Sequence, residues 1–383
     1  MPLAITPLTA FLQAEIRRRG PIPFCEFMEA ALYHPALGYY ASGKAAIGRE
    51  GDFFTNVSVG PLFGRLLARQ FVEMWRALGE PESWSIIEQG AHRGDFAADA
   101  LAELRDCAQP CFQALRYRIV EPFDSPRAVQ EERLAAFSGK VAWHRSLREV
   151  KPGAAVHFSN ELLDAFPVHR VAFREGGWVE RHVAMEEDAF VYTDAPLAAN
   201  GLRERLDGLN PVVGFETEVN LASTDWLREA TPAVERGFLL AIDYGFCHDE
   251  YYRAERSQGT LTGYAGHRRQ SDLLAAPGAI DLTAHVDFTS VVDEAESLRW
   301  ELRGYTDQHH LMVGLSQIYF GPDDPLTPER ERELRAFKTL MHPDLMGRSF
   351  KALCLSRGVA ACSTLSGFQF ARASRETLGL RPV

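Results

Sequence analysis

Hydrophobic and polar positions change their rhythm along the chain, and the change marks its organisation. Up to about residue 80 the apolar positions recur three and four apart in TPLTAFLQAEIRRRG, CEFMEAALYH and LFGRLLARQFVEMWRALG, with the turn-rich HPALGYYASGKAAIGREGDFFTN between the last two. This spacing predicts a helical N-terminal cap over 1–80. From 84 onward short apolar runs alternate with helical stretches: SWSIIEQG, AADALAELRDCA, FQALRYRIVEP, DSPRAVQEERLAAF, KVAWHRSL and AAVHFSNELLDAFPV. Strands separated by helices of this length predict a parallel sheet with crossover helices, a doubly wound α/β core over 81–383. Between about 168 and 235 the GG of HRVAFREGGWVERHVAMEEDAFVYTD predicts a β-hairpin, and STDWLREATPAVERG a helix, together an insertion in the core. The sheet resumes at FLLAIDYGF, a long loop follows over about 247–288, and the tail predicts helices at SLRWELRGY and TPERERELRAFKTLM and a last strand at KALCLSRG.

Composition narrows the class. A chain of 383 residues that is 46% hydrophobic and 24% charged is long enough to bury a large core. Its net charge of −11 argues against general affinity for nucleic acid or anionic membrane, since both need a positive field. No apolar run reaches the roughly 20 residues of a membrane span. Six scattered cysteines lack the paired C-x2-C spacing of a zinc site, which suggests reduced thiols. The expected location is cytoplasmic, although a short amphipathic start with three arginines is also a property of import signals.

Ligands of open α/β sheets sit beyond the carboxyl ends of the strands. After the first run come Glu88, Gly90 and Gly94 in IIEQGAHRGDF, where glycine permits a tight strand-to-helix turn and a close approach of ligand to free N–H groups. After the second comes Glu121, suited to the hydroxyls of a ribose. Together they predict a nucleoside-containing cofactor, with nicotinamide and methyl donor still alternatives. The fourth run ends at Asn160, Glu161 and Asp164, polar groups able to orient an amine or guanidinium. The plainer alternative is a helix capped by Ser159 or Asn160 and beginning at Glu161. Asp243 occupies the matching place on the next strand. In IDLTAHVDF, Asp281, Thr283, His285 and Asp287 share one face if the segment is extended, which suggests a hydrogen-bonded wall; no metal site is predicted. GDFFTN suggests a lid.

LYHPALGYYASG, GDFFTNVSVGPLFGRLLARQ, the glycine loop, SNELLDAFPV, LLAIDYGF and DLTAHVDF, in this order from about 22 to 355, resemble the MidA-like family of S-adenosylmethionine-dependent methyltransferases. That family includes a mitochondrial assembly factor for respiratory complex I. The resemblance implies a class I methyltransferase-like, Rossmann-like fold with a helical N-terminal region, S-adenosyl-L-methionine as cofactor, and methylation of arginine on a protein. Carried over position by position, it implies that Glu88, Gly90, Gly94 and Glu121 hold the donor and that Gly51, Asp52 and Thr55 close over the site. Asn160, Glu161 and Asp164 would face the acceptor, with His285 on the site wall. The implied partner is a protein substrate or assembly partner, with the respiratory chain one setting and a homodimer left open. Three positions depart from the family's pattern: His92 for the middle glycine of the loop, Arg145 for the acid of W-H-D-S-L, and Ser58 for the glutamate of F-T-x-P-E. These departures motivate the alternative of a non-catalytic binding or assembly protein with a degraded donor pocket.

Overall fold

The computed structural model describes residues 6–41, 56–198, 200–266, 268–360 and 364–381, which divide into two compact units. One draws on the described residues from 56 to Leu162, on Trp226–Cys247 and on those from Phe288 onward. Its sheet contains β1 (Trp84–Gln89), β2 (Leu115–Val120), β3 (Val141–His144), β4 (Gly153–Asn160), β5 (Val234–Phe246), β6 (Glu301–Asp307) and β7 (Phe350–Arg357), in the order β3-β2-β1-β4-β5-β7-β6. Neighbours from β3 to β5 are parallel, and β7 is antiparallel to both β5 and β6. Strands covered on both faces need continuous apolar runs, and Phe238–Ile242 and Ile86–Ile87 are fully buried. The register sets Gln89 beside Val120 and Ser159, and Asn160 beside Ile242, so the carboxyl ends of β1, β2, β4 and β5 share one edge.

Helix Leu62–Ala77 buries Phe63, Leu66, Leu67, Phe71 and Met74 in the core of this unit. It lies so close to helix Asp95–Cys107 that a Cβ at Gly64 would be 2.8 Å from the Cβ of Asp99. Phe158 on β4 stacks on Phe96 at 4.3 Å and meets the edge of Phe71 at 5.7 Å. The third predicted N-terminal helix therefore packs on the sheet, and the chain does not divide into a cap at 1–80 and a core at 81–383.

The second unit comprises the described residues before 54, Leu163–Asp225 and His248–Asp287. Strands His169–Arg174 and Gly177–Glu186 form the expected hairpin. Ala189–Ala195 and the two-residue strand Ile22–Pro23 also pair with Gly177–Glu186, and Glu216–Val219 pairs with His169–Arg174. Helices Pro7–Arg19 and Phe24–Tyr33 bury Leu8, Leu12, Phe27 and Met28 in a core shared with Val168, Val183 and Leu282.

Two expectations fail. Residues 297–305 are not a helix: the preceding helix ends at Ser297, Arg299 takes a left-handed φ of 66°, and 301–307 pair with β7 as the sheet's edge. The segment expected to be a long loop holds a three-stranded sheet of Thr262–Ala265, Arg268–Gln270 and Asp281–Thr283.

Because Phe158 is fully buried between two aromatic rings, Phe158→Ala should lower the unfolding free energy by about 3–5 kcal/mol in urea denaturation. A loss below about 1 kcal/mol would contradict this packing.

Candidate functional site

The chain leaves β1 through a turn in which Gly90 and Gly94 both take φ of +80°, a conformation open to glycine and strained for other residues. A Cβ at Gly94 would also come within 3.3 Å of Leu134. His92, between them, takes φ +46°, so the loop carries a non-glycine residue in left-handed backbone at a local cost of about 1–2 kcal/mol. Gly94 leads directly into helix Asp95–Cys107 and, having no side chain, does not cap its first N–H groups.

Glu88 is buried near the end of β1, and the Tyr117 hydroxyl on β2 donates to its Oε2 at 2.7 Å. Burial pushes its pKa up to about 7 against the opposing pull of that hydroxyl. Glu121, just beyond β2, is also buried; Oε1 accepts the Phe123 N–H and Oε2 the Gln130 amide, both at 3.0 Å. Burial raises its pKa, and these two bonds oppose the rise.

Gln130 was invisible as a site residue in the sequence, where it stands among polar neighbours of helix Asp124–Arg133. It is completely buried. Its Nε2 also donates to the His92 carbonyl at 2.9 Å, and its Oε1 accepts the Trp143 indole N–H at 3.0 Å. One amide thus ties the glycine loop, Glu121 and β3 together. Arg145, a residue after that strand, turns outward: its side chain is 56% exposed, and it donates to the Pro122 carbonyl and to Asp124.

At the end of β4 the Asn56 amide donates to Asn160 Oδ1 at 2.9 Å, and Asn160 Nδ2 donates to Glu161 Oε1 at 2.9 Å. Asn56 has no exposed surface, and its own Oδ1 has no hydrogen-bond partner among the described residues. Glu161 adopts φ +53° while its N–H donates to the Ile242 carbonyl at 2.9 Å. Asp243 on β5 accepts the Leu162 N–H at 3.1 Å and its neighbour's N–H at 2.9 Å. No helix begins at Glu161, so the capping alternative fails; strand β4 ends instead in a bend followed by a short 3-10 turn at Leu163–Ala165.

Asn160 and Glu161 are thus adjacent to Asn56 and Asp243 in one unit. Asp164 and His285 belong to the other, where the Asp164 carbonyl accepts the Ala284 N–H at 2.9 Å and the His285 N–H donates to Thr260 Oγ1 at 3.0 Å. Asp281 accepts the Tyr40 hydroxyl at 2.9 Å, and Asp287 lies 3.3 Å from His248. Gly51, Asp52 and Thr55 lie outside the described residues.

Comparison with known proteins fits this arrangement. The model of a family described as "Putative S-adenosyl-L-methionine-dependent methyltransferase" matches residues 66–306. The mitochondrial protein arginine methyltransferase NDUFAF7 homolog of Drosophila melanogaster is 30% identical, over 91% of this chain and 85% of the relative. The mitochondrial protein arginine methyltransferase NDUFAF7 of Mus musculus is 28% identical, over 92% and 84%. A crystal structure of a COG1565 superfamily member from Burkholderia thailandensis, bound to S-adenosyl-homocysteine, is 33% identical with a TM-score of 0.85, covering 96% of this chain and 95% of that one. The fold is class I methyltransferase-like, as expected from the resemblance. These curated relatives are mitochondrial proteins, which overturns the expected cytoplasmic location. The N-terminal composition was a poor guide because a capped, folded helix and an import signal share amphipathic, arginine-bearing sequence. Among the described residues no helix is long and apolar enough to cross a membrane.

The raised pKa of Glu88 has a definite sign. A carboxyl that holds its proton more tightly when folded contributes stability that is fully present below its unfolded pKa near 4.5 and is lost as pH rises through about 7. Glu88→Gln should lack this dependence, so its stability relative to the unsubstituted protein should rise by about 3 kcal/mol between pH 4.5 and 8 in urea titrations. A constant difference across that range would refute the assignment.

Proposed function

The chain belongs to this family of S-adenosyl-L-methionine-dependent methyltransferases, and on that premise we propose that it methylates an arginine side chain of a protein partner. S-adenosyl-L-methionine is the cofactor. The residues present suit it. Two glycines at +80° leave backbone free of Cβ atoms at a helix start, and two buried carboxylates stand at successive strand ends. The buried Oδ1 of Asn56, without a hydrogen-bond partner among the described residues, is an acceptor that an ammonium group would satisfy. We assign Glu88, Gly90, Gly94 and Glu121 to holding the donor, with Gln130 fixing the position of the Glu121 carboxylate.

Bound there, the cofactor supplies an electrophilic methyl group. The protein's task is to orient a nitrogen nucleophile in line with it, exclude water and accept the proton that methylation releases. Glu161 is the observation that carries the arginine reading. It is a carboxylate held in left-handed backbone by the Ile242 carbonyl and the Asn160 amide, and such strain persists where surrounding bonds fix it for a purpose. A fixed carboxylate matches the planar fork of a guanidinium and can pair with it by charge-assisted hydrogen bonds. Asn160 orients it. The names of the relatives, protein arginine methyltransferases, support the same acceptor class. Arg145 is engaged with Asp124 and the Pro122 carbonyl, so its presence gives no reason to favour a pocket that has lost its donor.

Incubation with isotope-labelled S-adenosyl-L-methionine and proteins of the source cell, followed by mass spectrometry, should find label in methylarginine. Transfer confined to lysine, to carboxylates or to small molecules would overturn the acceptor assignment. Glu161→Gln should lower kcat by on the order of 10²–10⁴ with the donor's Kd unchanged, whereas Glu121→Ala should weaken donor binding by roughly 10–100-fold. Loss of donor affinity in the Glu161 variant would move that residue to the donor side.

A further inference from the structure

The unit formed by the described residues before 54, Leu163–Asp225 and His248–Asp287 contains a second concentration of chemistry, none of whose members is assigned above. Cys25 is the second residue of helix Phe24–Tyr33, His169 opens strand His169–Arg174, and Glu180 lies within Gly177–Glu186. One donor atom from each lies within 4.8 Å of the other two. The topology explains the meeting. In the hairpin Val171 pairs with Glu180, so His169, Val171, Glu180 and His182, two apart along each strand, share one face of the sheet. Pro23 pairs with His182 at the edge, and the chain turns there into the helix that presents Cys25.

The surroundings resemble a ligand shell more than a surface ion pair. The Glu180 side chain is fully buried, and His169 and His182 are 15% and 14% exposed. Glu180 Oε1 lies 2.7 Å from His169 Nδ1, and its Oε2 accepts the Ala198 N–H at 3.2 Å, which fixes the carboxylate's orientation. His182 Nε2 is buried without a hydrogen-bond partner among the described residues, 3.8 Å from Glu180 Oε2. Buried imidazole nitrogens seldom remain unsatisfied, and this one faces the carboxylate that the other two donors surround.

We propose that Cys25, His169 and Glu180 form a binding site for a divalent ion of the zinc class, with His182 beside the fourth coordination position. Sulfur, nitrogen and oxygen donors in a near-dry setting suit Zn2+, which takes thiolate, imidazole and carboxylate in tetrahedral geometry. The charge also balances: a thiolate and a carboxylate with neutral imidazoles offset a dication, leaving no net charge to bury. Binding exchanges the thiol proton of Cys25, and any proton on His169, for the metal, and these protons pass to buffer. The ion would join the edge strand and first turn of helix Phe24–Tyr33 to the hairpin, and its role there is to stabilise this unit. No sequence motif announces the set, because strand pairing joins His169 to Glu180 and the turn after Pro23 brings in Cys25 from its helix.

The test uses the full-length protein stripped with chelator and titrated with Zn2+ or Co2+ alone. One equivalent of Zn2+ should bind in competition with a chromophoric chelator and raise the melting temperature by roughly 5 °C at a hundredfold excess over Kd. Co2+ should give a thiolate-to-metal charge-transfer band. Cys25→Ala, a substitution that a helix's first turn tolerates, should keep the melting temperature of the metal-free protein, lose the band and weaken Zn2+ binding more than tenfold; His169→Gln should also weaken it. Absence of stoichiometric binding, or binding and a band unchanged in Cys25→Ala, would overturn the proposal and leave a metal-free His169–Glu180 pair beside a buried thiol.

Discussion

A single buried amide holds the glycine loop, Glu121 and β3 in register. Gln130 has no exposed surface, and its side chain uses both ends: Nε2 donates to the His92 carbonyl and to Glu121, while Oε1 accepts from Trp143. An unmade hydrogen bond in such a place costs about 1–3 kcal/mol, so each partner is fixed by what the others would lose. The glycine loop at 90–94, the acid at 121 and the strand Val141–His144 are separate in sequence, and the parallel sheet aligns them only roughly. The amide turns rough alignment into defined distances.

Around that point the backbone is under strain where ligands are expected. His92 and Glu161, neither a glycine, both hold left-handed conformations just beyond strand ends, at about 1–2 kcal/mol each. The core offsets this easily, since a stacked Phe96–Phe158 pair with Phe71 at its edge contributes more than either strained residue costs. The Arg145 charge is absorbed outside the pocket by an exposed pair with Asp124, an interaction worth little to stability but enough to set the side chain's direction.

Much of the fold was legible because buried parallel strands leave continuous apolar runs and hairpins leave turn residues. IIEQG, RYRIVEP and FLLAIDYG all end at the ligand edge, and GG at 176–177 joins the predicted hairpin. Glycine at 90 and 94 was legible for the same reason: only backbone need explains it. The rest was hidden by tertiary context. Residues 301–307 have the charge and leucine content of a helix yet pair as an edge strand, and the small sheet within 262–283 consists of strands too short to show periodicity. Gln130, Asn56 and the Tyr117–Glu88 bond depend on partners far away in sequence, as does the Cys25–His169–Glu180 set. The packing of helix Leu62–Ala77 on the sheet could not be read from amphipathicity, which gives a buried face without naming what covers it.

Whether the Gln130-braced loop and Glu121 hold the methyl donor is decided by calorimetry with S-adenosyl-homocysteine on the unsubstituted protein and on Gln130→Met, which keeps the volume and removes the three hydrogen bonds. One equivalent should bind to the unsubstituted protein, with a Kd at least about tenfold weaker for a folded Gln130→Met. Equal affinity in the two would contradict that assignment.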